Sequence, residues 1–430
     1  MRAKTLVTCA TNAPQNGITF EDLNTIDDGA MLCADGRIVE LGTRVEVESR
    51  IAQFREKMAR VAVRHGRNPA DFAPDMAYGR EIEVLDVPDG ILVPGFVDAH
   101  AHPLFAGDRE PDFVAKLRGE PAPLGMQYTI AQTRKALESP EAREAFWRRI
   151  EERLRRIAAH GTTTLEVKTG YALHKEGETQ LLDLIDAHKE TAGLPRLIAT
   201  FLGAHACPPE FPTERAYVDY LIAHVVPVAR AHGAIYADAF CEPGFFSPSE
   251  TARYLQSCRE HGMHLRVHCD EMAYGGAAAM AAELDVDAID HANCITEADV
   301  EAIVEREIAV VACPATISYL GLMQRAPVRS ILERGGRVAL ASDYNPGTSP
   351  CFNLQTVAYF GRTLFGLSAA EALDAVTRSA ARSLNADAGV LHADGPADFV
   401  VLDLESPDEF GWQFGGNVAR CVVRAGEVVV

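Results

Sequence analysis

Short apolar runs alternate with longer amphipathic stretches from about residue 93 to residue 380. The stretches between the runs have helical periodicity, and several end at or near a glycine that can cap a helix. This alternation predicts an α/β fold with a parallel sheet. Eight runs with seven crossovers predict a (β/α)8 barrel over 93–381. The runs are 95–102, 162–170, 196–205, 234–241, 265–271, 287–293, 308–316 and 337–345.

The two ends of the chain have a different pattern. Residues 1–92 contain hairpin-like pieces, two of them with an Asp-Gly turn, and residues 382–430 repeat that style. We expect the two segments to pair into one small composite β-sandwich domain beside the barrel. The charged stretch at about 44–80 indicates a helical insertion in that domain with a solvated face.

The charge and the cysteine content of the chain limit the classes of partner and the cellular compartment that we expect. The 430 residues include 41 Lys and Arg against 61 Asp and Glu, a net charge of −20, which disfavours nucleic acid and acidic membrane surfaces as partners. A small anionic ligand remains compatible with this charge if local cations bind it. No apolar stretch is long enough for a signal peptide or a membrane span. The ten cysteines form no CxxC pair, so we predict a reducing, cytoplasmic environment.

Polar residues recur where the predicted strands end, and a barrel brings those ends to one mouth. His100 and His102 lie two residues apart on one strand and therefore point to the same side. With His268, His291 and Asp343 they form a candidate site for one metal ion, Zn²⁺ or Fe²⁺, with an open position for water. The alternative is that polarity simply rises where a strand leaves the sheet.

Other mouth residues have the chemistry that a hydrolytic reaction needs. Glu271 follows His268 by three residues and is the expected proton carrier. Arg109 is a candidate receptor for a substrate carboxylate, or it forms a salt bridge with Asp108 or Glu110. Tyr171 and His205 are expected to donate hydrogen bonds to the substrate. Asn345 and the backbone amides of the turn after Asp343 are expected to bind an anion.

Two further metal chemistries are weighed against this site. Lys168 could be carbamylated to bridge a second metal, or it forms an ion pair with Glu166 inside the barrel. We favour a single metal. Five cysteines at or near strand ends could supply a thiolate ligand, but buried cysteine is more often a small apolar residue. These cysteines are Cys207, Cys241, Cys269, Cys294 and Cys313.

The segment PGFVDAHAHPLFAGDRE resembles the signature of the amidohydrolase superfamily. The blocks GTTTLEVKTGYAL, TFLGAHACPPEF, HCDEMAYGGAAAMAAEL and ASDYNPGTSP resemble the imidazolonepropionase family in the same order, over nearly the whole chain. The resemblance implies hydrolytic opening of an imidazolone ring that bears a propionate arm, in histidine degradation, by a homodimer.

The resemblance also implies a role for each site residue. It implies that one Zn or Fe ion is held by His100, His102, His268 and Asp343. It gives Glu271 the role of proton shuttle and places His291 beside the attacking water. It implies that the substrate is contacted by Arg109, Tyr171 and His205, with Asn345, Gly347 and Thr348 near its carboxylate.

One segment departs from the family pattern. After the sequence KLRG the family carries an SYLEI-like segment with a contacting tyrosine and then a GGGI loop, whereas this chain reads EPAPLGMQYTI, and Tyr128 does not obviously replace that tyrosine. A related ring, a thio-imidazolone or hydantoin propionate, is therefore an alternative substrate. A deaminase of an aminated heterocycle would use the same metal residues. A non-enzymatic scaffold that keeps the barrel is a third hypothesis, which the complete ligand set disfavours.

Overall fold

The computed structural model describes residues 1–64, 76–77, 80–81 and 83–430. A 21-residue helix, α1 (Arg44–Arg64), occupies the first part of the predicted insertion. The next described pieces are the two short paired strands β4 (Met76–Ala77) and β5 (Arg80–Glu81). The rest of the predicted insertion lies outside the described residues.

The barrel prediction is confirmed, because eight strands pair in parallel in the order of the sequence. Each strand corresponds to one of the eight apolar runs. The strands are almost entirely buried, as expected for a parallel sheet covered by helices. They are β7 (Phe96–Asp98), β8 (Thr162–Lys168), β9 (Arg196–Ala204), β10 (Tyr236–Cys241), β11 (His264–Cys269), β12 (Ala288–His291), β13 (Ala309–Ala312) and β14 (Val338–Leu340).

Helices pack around these strands, and many begin at a residue whose side chain caps the first turn. Ser139, Thr213, Ser247 and Thr296 each accept a backbone N–H in this way. The helices are α2 (Glu110–Leu117), α3 (Gly125–Ala136), α4 (Pro140–Ala158), α5 (Lys175–His188), α6 (Glu214–Tyr220), α7 (Val226–Ala229), α8 (Pro248–Glu260), α9 (Ala277–Leu284), α10 (Glu297–Glu305), α11 (Pro314–Leu320), α12 (Val328–Glu333), α13 (Leu354–Phe365), α14 (Ala369–Ala375) and α15 (Arg378–Ser383). Among the described residues, no helix combines the length and apolarity that crossing a bilayer requires.

The barrel closes between its first and last strands just beyond their carboxyl ends. The N–H of Asp343 donates to the carbonyl of His100 at 2.9 Å, and the N–H of His102 donates to the carbonyl of Tyr344 at 2.9 Å. We call this pair of backbone hydrogen bonds the seam. The seam joins the two chain segments that carry three of the predicted metal ligands.

A separate sheet built from both ends of the chain is also confirmed. Strand β1 (Arg2–Val7) pairs in antiparallel fashion with β2 (Thr25–Ala34) and in parallel with the central strand β6 (Asp86–Pro94), and β6 pairs with β15 (Phe399–Leu402) from the C-terminal segment. Its seven strands follow one order, β17-β16-β15-β6-β1-β2-β3. They are β1 (Arg2–Val7), β2 (Thr25–Ala34), β3 (Arg37–Thr43), β6 (Asp86–Pro94), β15 (Phe399–Leu402), β16 (Ala419–Arg424) and β17 (Glu427–Val428).

The predicted division at residues 92 and 382 falls close to element ends. Strand β6 runs to Pro94, two residues beyond the first predicted boundary, and the barrel strand β7 begins at Phe96. Helix α15 ends at Ser383 and contacts β13, β14 and β7 of the barrel. The division of the chain into two domains at residues 92 and 382 stays a prediction.

Candidate active site

Four side chains converge at the mouth of the barrel. The Nε2 atoms of His100 and His102 are 3.2 Å apart, and Nε2 of His268 lies 3.3 Å from that of His102. Oδ1 of Asp343 is 3.4 Å from Nε2 of both His100 and His102. Separations of this size are those between two ligands of one zinc ion, whose Zn–N and Zn–O bonds are roughly 2.0–2.1 Å long. The donor atoms of His100, His102 and His268 all lie within 4.8 Å of one another, so these three side chains and Asp343 can hold a divalent metal ion.

His100 and His102 are in the form that binds a metal. Burial lowers the pKa of His100 and His102 well below the usual value, so both rings are neutral and offer a lone pair. Nδ1 of His100 lies 2.7 Å from Oδ2 of Asp290, which leaves Nε2 free for the ion. Asp343 accepts hydrogen bonds from the Thr316 hydroxyl at 2.7 Å and from Asn345 at 3.0 Å. Burial raises the pKa of Asp343 to about 6.

His291 and Glu271 stand beside the four donors. Nδ1 of His291 is 3.8 Å from Oε1 of Glu271, and the rings of His291 and His100 have centroids 5.0 Å apart. Burial, followed by the neighbouring His268, lowers the pKa of His291 to about 3, so its ring is neutral. Burial and the nearby carboxylates of Asp343 and Glu242 raise the pKa of Glu271 well above its usual value. This carboxyl group can therefore both accept and hold a proton.

The loop that carries Glu271 is fixed by a second carboxylate. Glu242, at the end of β10, accepts the backbone N–H groups of Glu271 at 2.8 Å, Met272 at 3.1 Å and Ala273 at 2.8 Å. On the other side, the amide of Asn293 donates to the carbonyl of Glu271 at 3.1 Å. The backbone of the proton carrier is thus held from both neighbouring strands.

Tyr171 and His205 line the wall next to the histidines. The His205 ring stacks on that of His102 with centroids 5.4 Å apart, and the Tyr171 ring is 5.2 Å from His205. Nδ1 of His205 lies 2.9 Å from the carbonyl of Gly170, which can only accept, so Nδ1 carries the proton. Burial lowers the pKa of His205 to about 4. Its free Nε2 is then an acceptor, which differs from the donor role expected from the sequence.

Arg109 begins α2 at the rim and lies against the turn that follows Asp343. Its Nε donates to Oδ2 of Asp112 at 2.7 Å, and a Cβ placed on Gly347 would come within 2.1 Å of its Nη1. Among the described residues, Asp112 is the only carboxylate that pairs with Arg109, so the expected salt bridge with Asp108 or Glu110 does not form. The outer edge of the guanidinium remains available to a carboxylate ligand.

The turn after Asp343 is organised by Asn345. Its Oδ1 accepts the N–H groups of Gly347 at 2.9 Å and Thr348 at 2.7 Å, and its Nδ2 donates to the Thr348 hydroxyl at 2.8 Å. These groups were expected to bind an anion directly. In the structure they bind one another, and the surface that they offer to Arg109 is the bare backbone of Gly347.

The two alternative metal chemistries have different outcomes. The ammonium of Lys168 contacts three carboxylates, and these raise its pKa against the effect of burial, so the amine stays charged and unsuited to carbamylation. Of the five cysteines, only Cys313 belongs to a described ligand group, with its sulfur within 4.8 Å of a nitrogen of His100 and of His291. Burial raises the pKa of that thiol well above its usual value.

Several residues that support the site were not singled out from the sequence. Asp290 and Asp238 sit behind two of the metal-site histidines, at 2.7 and 3.0 Å from their Nδ1 atoms. Glu178 holds the Tyr171 loop by accepting the N–H groups of Gly170, Ala172 and Leu173. The available signal for the two aspartates was a carboxylate inside an apolar strand run, as in AIYADAFC and DAIDHAN.

Comparison with known proteins places this geometry in context. The model of the amidohydrolase family matches residues 91–429. An imidazolonepropionase from Rubrobacter xylanophilus is 38% identical over 366 residues, which cover 83% of this chain and 86% of the relative. An imidazolonepropionase from Solibacter usitatus is 32% identical over 444 aligned positions, covering 100% of this chain and 97% of the relative.

Solved structures share the fold at lower identity. A zinc-bound adenosine deaminase from Xanthomonas campestris superposes with a TM-score of 0.66 at 18% identity, over 99% of this chain and 91% of the other. A guanine deaminase from E. coli gives a TM-score of 0.66 at 19% identity, over 100% and 98% of the two chains. These likenesses concern the architecture alone.

Proposed function

From the premise that this chain belongs to the amidohydrolase family, as an imidazolonepropionase-like member, we propose that it hydrolyses 4-imidazolone-5-propanoate to N-formimidoyl-L-glutamate. The reaction breaks a cyclic amide C–N bond outside peptides. The observation that carries the proposal is the group of three histidines and one aspartate at the barrel mouth, with Arg109 packed against the turn that follows that aspartate. A ring carbonyl requires the first feature and a propionate arm requires the second.

We propose Zn²⁺ as the metal, held by His100, His102, His268 and Asp343. Three imidazoles and one carboxylate are a donor set that suits zinc, whereas iron sites more often have higher coordination. When bound, such an ion lowers the pKa of a water molecule toward neutrality and polarises the ring carbonyl. Elemental analysis of protein purified without added metal, followed by removal and separate return of zinc and iron, tests the assignment.

Glu271 moves the proton in this scheme. Its carboxylate takes a proton from the attacking water and delivers it to the ring nitrogen as the C–N bond breaks, so that one water is consumed and no other reactant is needed. The raised pKa of Glu271 suits this double role, because the group holds the proton between the two events. The carboxyl group of Glu242, which accepts three N–H groups of this loop, keeps Glu271 in place.

The remaining residues orient the substrate. Neutral His291 donates a hydrogen bond to the carbonyl oxygen as negative charge develops on it. Nε2 of His205 accepts a ring N–H, and Tyr171 closes the wall between the ring and Arg109. Arg109 binds the propionate carboxylate, so that contacts remote from the reacting carbon fix the orientation of the ring.

The function is tested by identifying the product of the reaction. Freshly prepared 4-imidazolone-5-propanoate is incubated with the metal-loaded protein, and N-formimidoyl-L-glutamate is identified by mass spectrometry. Ammonia is measured in the same samples and with a panel of aminated heterocycles, because a deaminase would release it. Thio-imidazolone and hydantoin propionates extend the panel, since the segment EPAPLGMQYTI departs from the family. Higher kcat/KM for one of these rings would replace the proposed substrate.

The proposal extends to assembly and compartment. A homodimer in the cytoplasm is expected from the family resemblance and from the absence of paired cysteines among the described residues. Light scattering of the purified protein measures the assembly, and fractionation of the source cells measures the compartment.

A further inference from the structure

A cluster of charged side chains fills the barrel beneath the metal-site histidines. Five of its members are fully buried, and they comprise two cations and three carboxylates. Burying ionised groups is strongly unfavourable unless each is paired, so a barrel interior with apolar side chains would be the simpler solution. The members are Glu166, Lys168, Asp238, Arg266 and Asp290.

Two of the carboxylates each contact one metal-site histidine. Oδ2 of Asp290 lies 2.7 Å from Nδ1 of His100, and Oδ2 of Asp238 lies 3.0 Å from Nδ1 of His268. The contact between Asp290 and His100 is a hydrogen bond, which fixes the imidazole tautomer and the direction of the other nitrogen, the one that binds the ion. The contact between Asp238 and His268 is close but not aligned as a hydrogen bond, so it supports His268 by charge and packing. The first and fifth barrel strands thus supply ligands whose orientation is set from behind.

One cation contacts both of these carboxylates. The Nζ atom of Lys168 is 2.7 Å from Oδ2 of Asp238 and 3.3 Å from Oδ2 of Asp290, and these are the same oxygens that face the two histidines. Lys168 also pairs with Glu166 at 2.7 Å. The other cation, Arg266, contacts Asp290 through the opposite oxygen, Oδ1, at 2.7 Å. Among the described residues, Lys168 is the cation that joins the two histidine supports.

We propose that Lys168 is a positioning residue for the metal site, because it holds the Asp238 and Asp290 carboxylates against His268 and His100. This inference rests on the proposed metal function. Without the ammonium, the two carboxylate oxygens that face the histidines lose the cation between them and repel each other, so at least one turns away or is neutralised and releases its histidine. The opposing effect is electrostatic, because loss of a cation leaves more negative charge near the ion and would by itself tighten binding.

The two effects predict opposite changes in metal affinity when the Lys168 charge is removed. Weaker binding indicates that Lys168 positions the ligands, and tighter binding indicates that only its charge matters. Lys168→Met keeps the length of the side chain and removes its charge. The loss of such supporting partners lowers metal affinity by about 10- to 100-fold. We expect a decrease of that size for Lys168→Met, measured as Zn²⁺ affinity of the metal-free protein in competition with a chromophoric chelator.

Arg266→Met is the matched control, since it also removes a buried cation from the cluster but leaves the oxygens that face His100 and His268 paired with Lys168. The melting temperature of each metal-free variant records the loss of stability separately. Lys168→Met should lose clearly more Zn²⁺ affinity than Arg266→Met at a comparable loss of stability. Unchanged or tighter binding, or an equal loss in both variants, would overturn the proposal.

Two further measurements keep the outcome decisive. If Lys168→Met does not fold, Lys168→Gln replaces it, because it also removes the ammonium while its amide can still donate to one carboxylate, and it should weaken Zn²⁺ binding more than Arg266→Met does. The visible spectrum of the Co²⁺-loaded protein reports ligand geometry, and it should change more in Lys168→Met than in Arg266→Met, although Arg266 also donates to the carbonyl of Ala99 at 3.0 Å. Wild-type protein that binds no stoichiometric Zn²⁺ would refute the proposed metal function itself, whereas normal wild-type binding with unaffected variants would refute only the role of Lys168.

Discussion

Asp112 holds the guanidinium of Arg109, the predicted receptor for the substrate carboxylate. A substitution of Asp112 should therefore change how tightly the substrate binds. Its Oδ2 accepts the Nε–H of Arg109 at 2.7 Å, and its two oxygens also accept the N–H groups of Leu124 and Gly125 at 2.8 and 3.0 Å. The carboxylate is 5% exposed, so its hydrogen bonds are largely shielded from water. Asp112→Asn removes the charge and supplies an N–H where an acceptor is needed.

The magnitude follows from the contact that is lost. A hydrogen bond to a charged group contributes roughly 1.5–3 kcal/mol, equivalent to roughly 10- to 100-fold in an equilibrium constant. The Arg109 side chain is 16% exposed, which weakens the interaction somewhat, so we expect the lower end of this range. KM for 4-imidazolone-5-propanoate should rise about tenfold while kcat changes little, because Arg109 contacts the arm and not the reacting carbon.

The assay compares two substrates in steady-state kinetics, the propionate and an imidazolone without a carboxylate. Asp112→Asn should affect only the first, and Asp108→Asn, a change to an exposed neighbouring carboxylate, should affect neither. In the double variant with Arg109→Met, the Asp112 change should add nothing to the KM of Arg109→Met alone. Equal losses for both substrates, or additive effects in the double variant, would refute this account of Asp112.

Three other changes test separate parts of the site. Glu271→Gln should lower kcat by about 10²- to 10⁴-fold with unchanged zinc content, and retained activity would assign the proton transfer elsewhere. Gly347→Ala places a methyl group 2.1 Å from Nη1 of Arg109, so KM for the propionate should rise about tenfold or more while the melting temperature stays within error. The folded-state pKa of His205 is lowered to about 4 from 6.5 by burial, so its contribution to stability is present above pH 6.5 and is lost as pH falls through about 4. Urea unfolding of metal-free protein should therefore lose more stability over this interval in wild type than in His205→Gln, by about 3 kcal/mol, and equal slopes would contradict the neutral assignment.

The barrel and the first layer of the site could be predicted because both have a local signal. Each apolar run forms one strand, and the polar residue at its end reaches the mouth whatever the details of packing. His100 and His102 share a side because of strand periodicity alone. Their convergence with His268 and Asp343 then follows from closure of the barrel, which brings the first, fifth and last strands around one axis.

The support behind this layer has no such local signal. Which carboxylate faces which histidine depends on register between strands, and the sequence does not state that Asp238 lies behind His268. The acceptor role of His205 depends on a single carbonyl, that of Gly170, which is 35 residues earlier in the chain. The sequence predicts that Asn345 binds a ligand, but its side chain completes a turn, and only three-dimensional contacts distinguish the two roles.

The seam gives the proposed ion a second task, which is mechanical. Strands β7 and β14 meet through the two backbone hydrogen bonds of Asp343 and His102, whereas every other neighbouring pair of barrel strands shares a longer ladder among the described residues. His100 and His102 lie on one side of this junction and Asp343 lies on the other. A cation bound by all three would therefore cross-link the first and last strands of the barrel. Binding of the ion and closure of the barrel are consequently coupled. A chelator that removes the ion would therefore abolish activity and also weaken the pairing between the first and last strands.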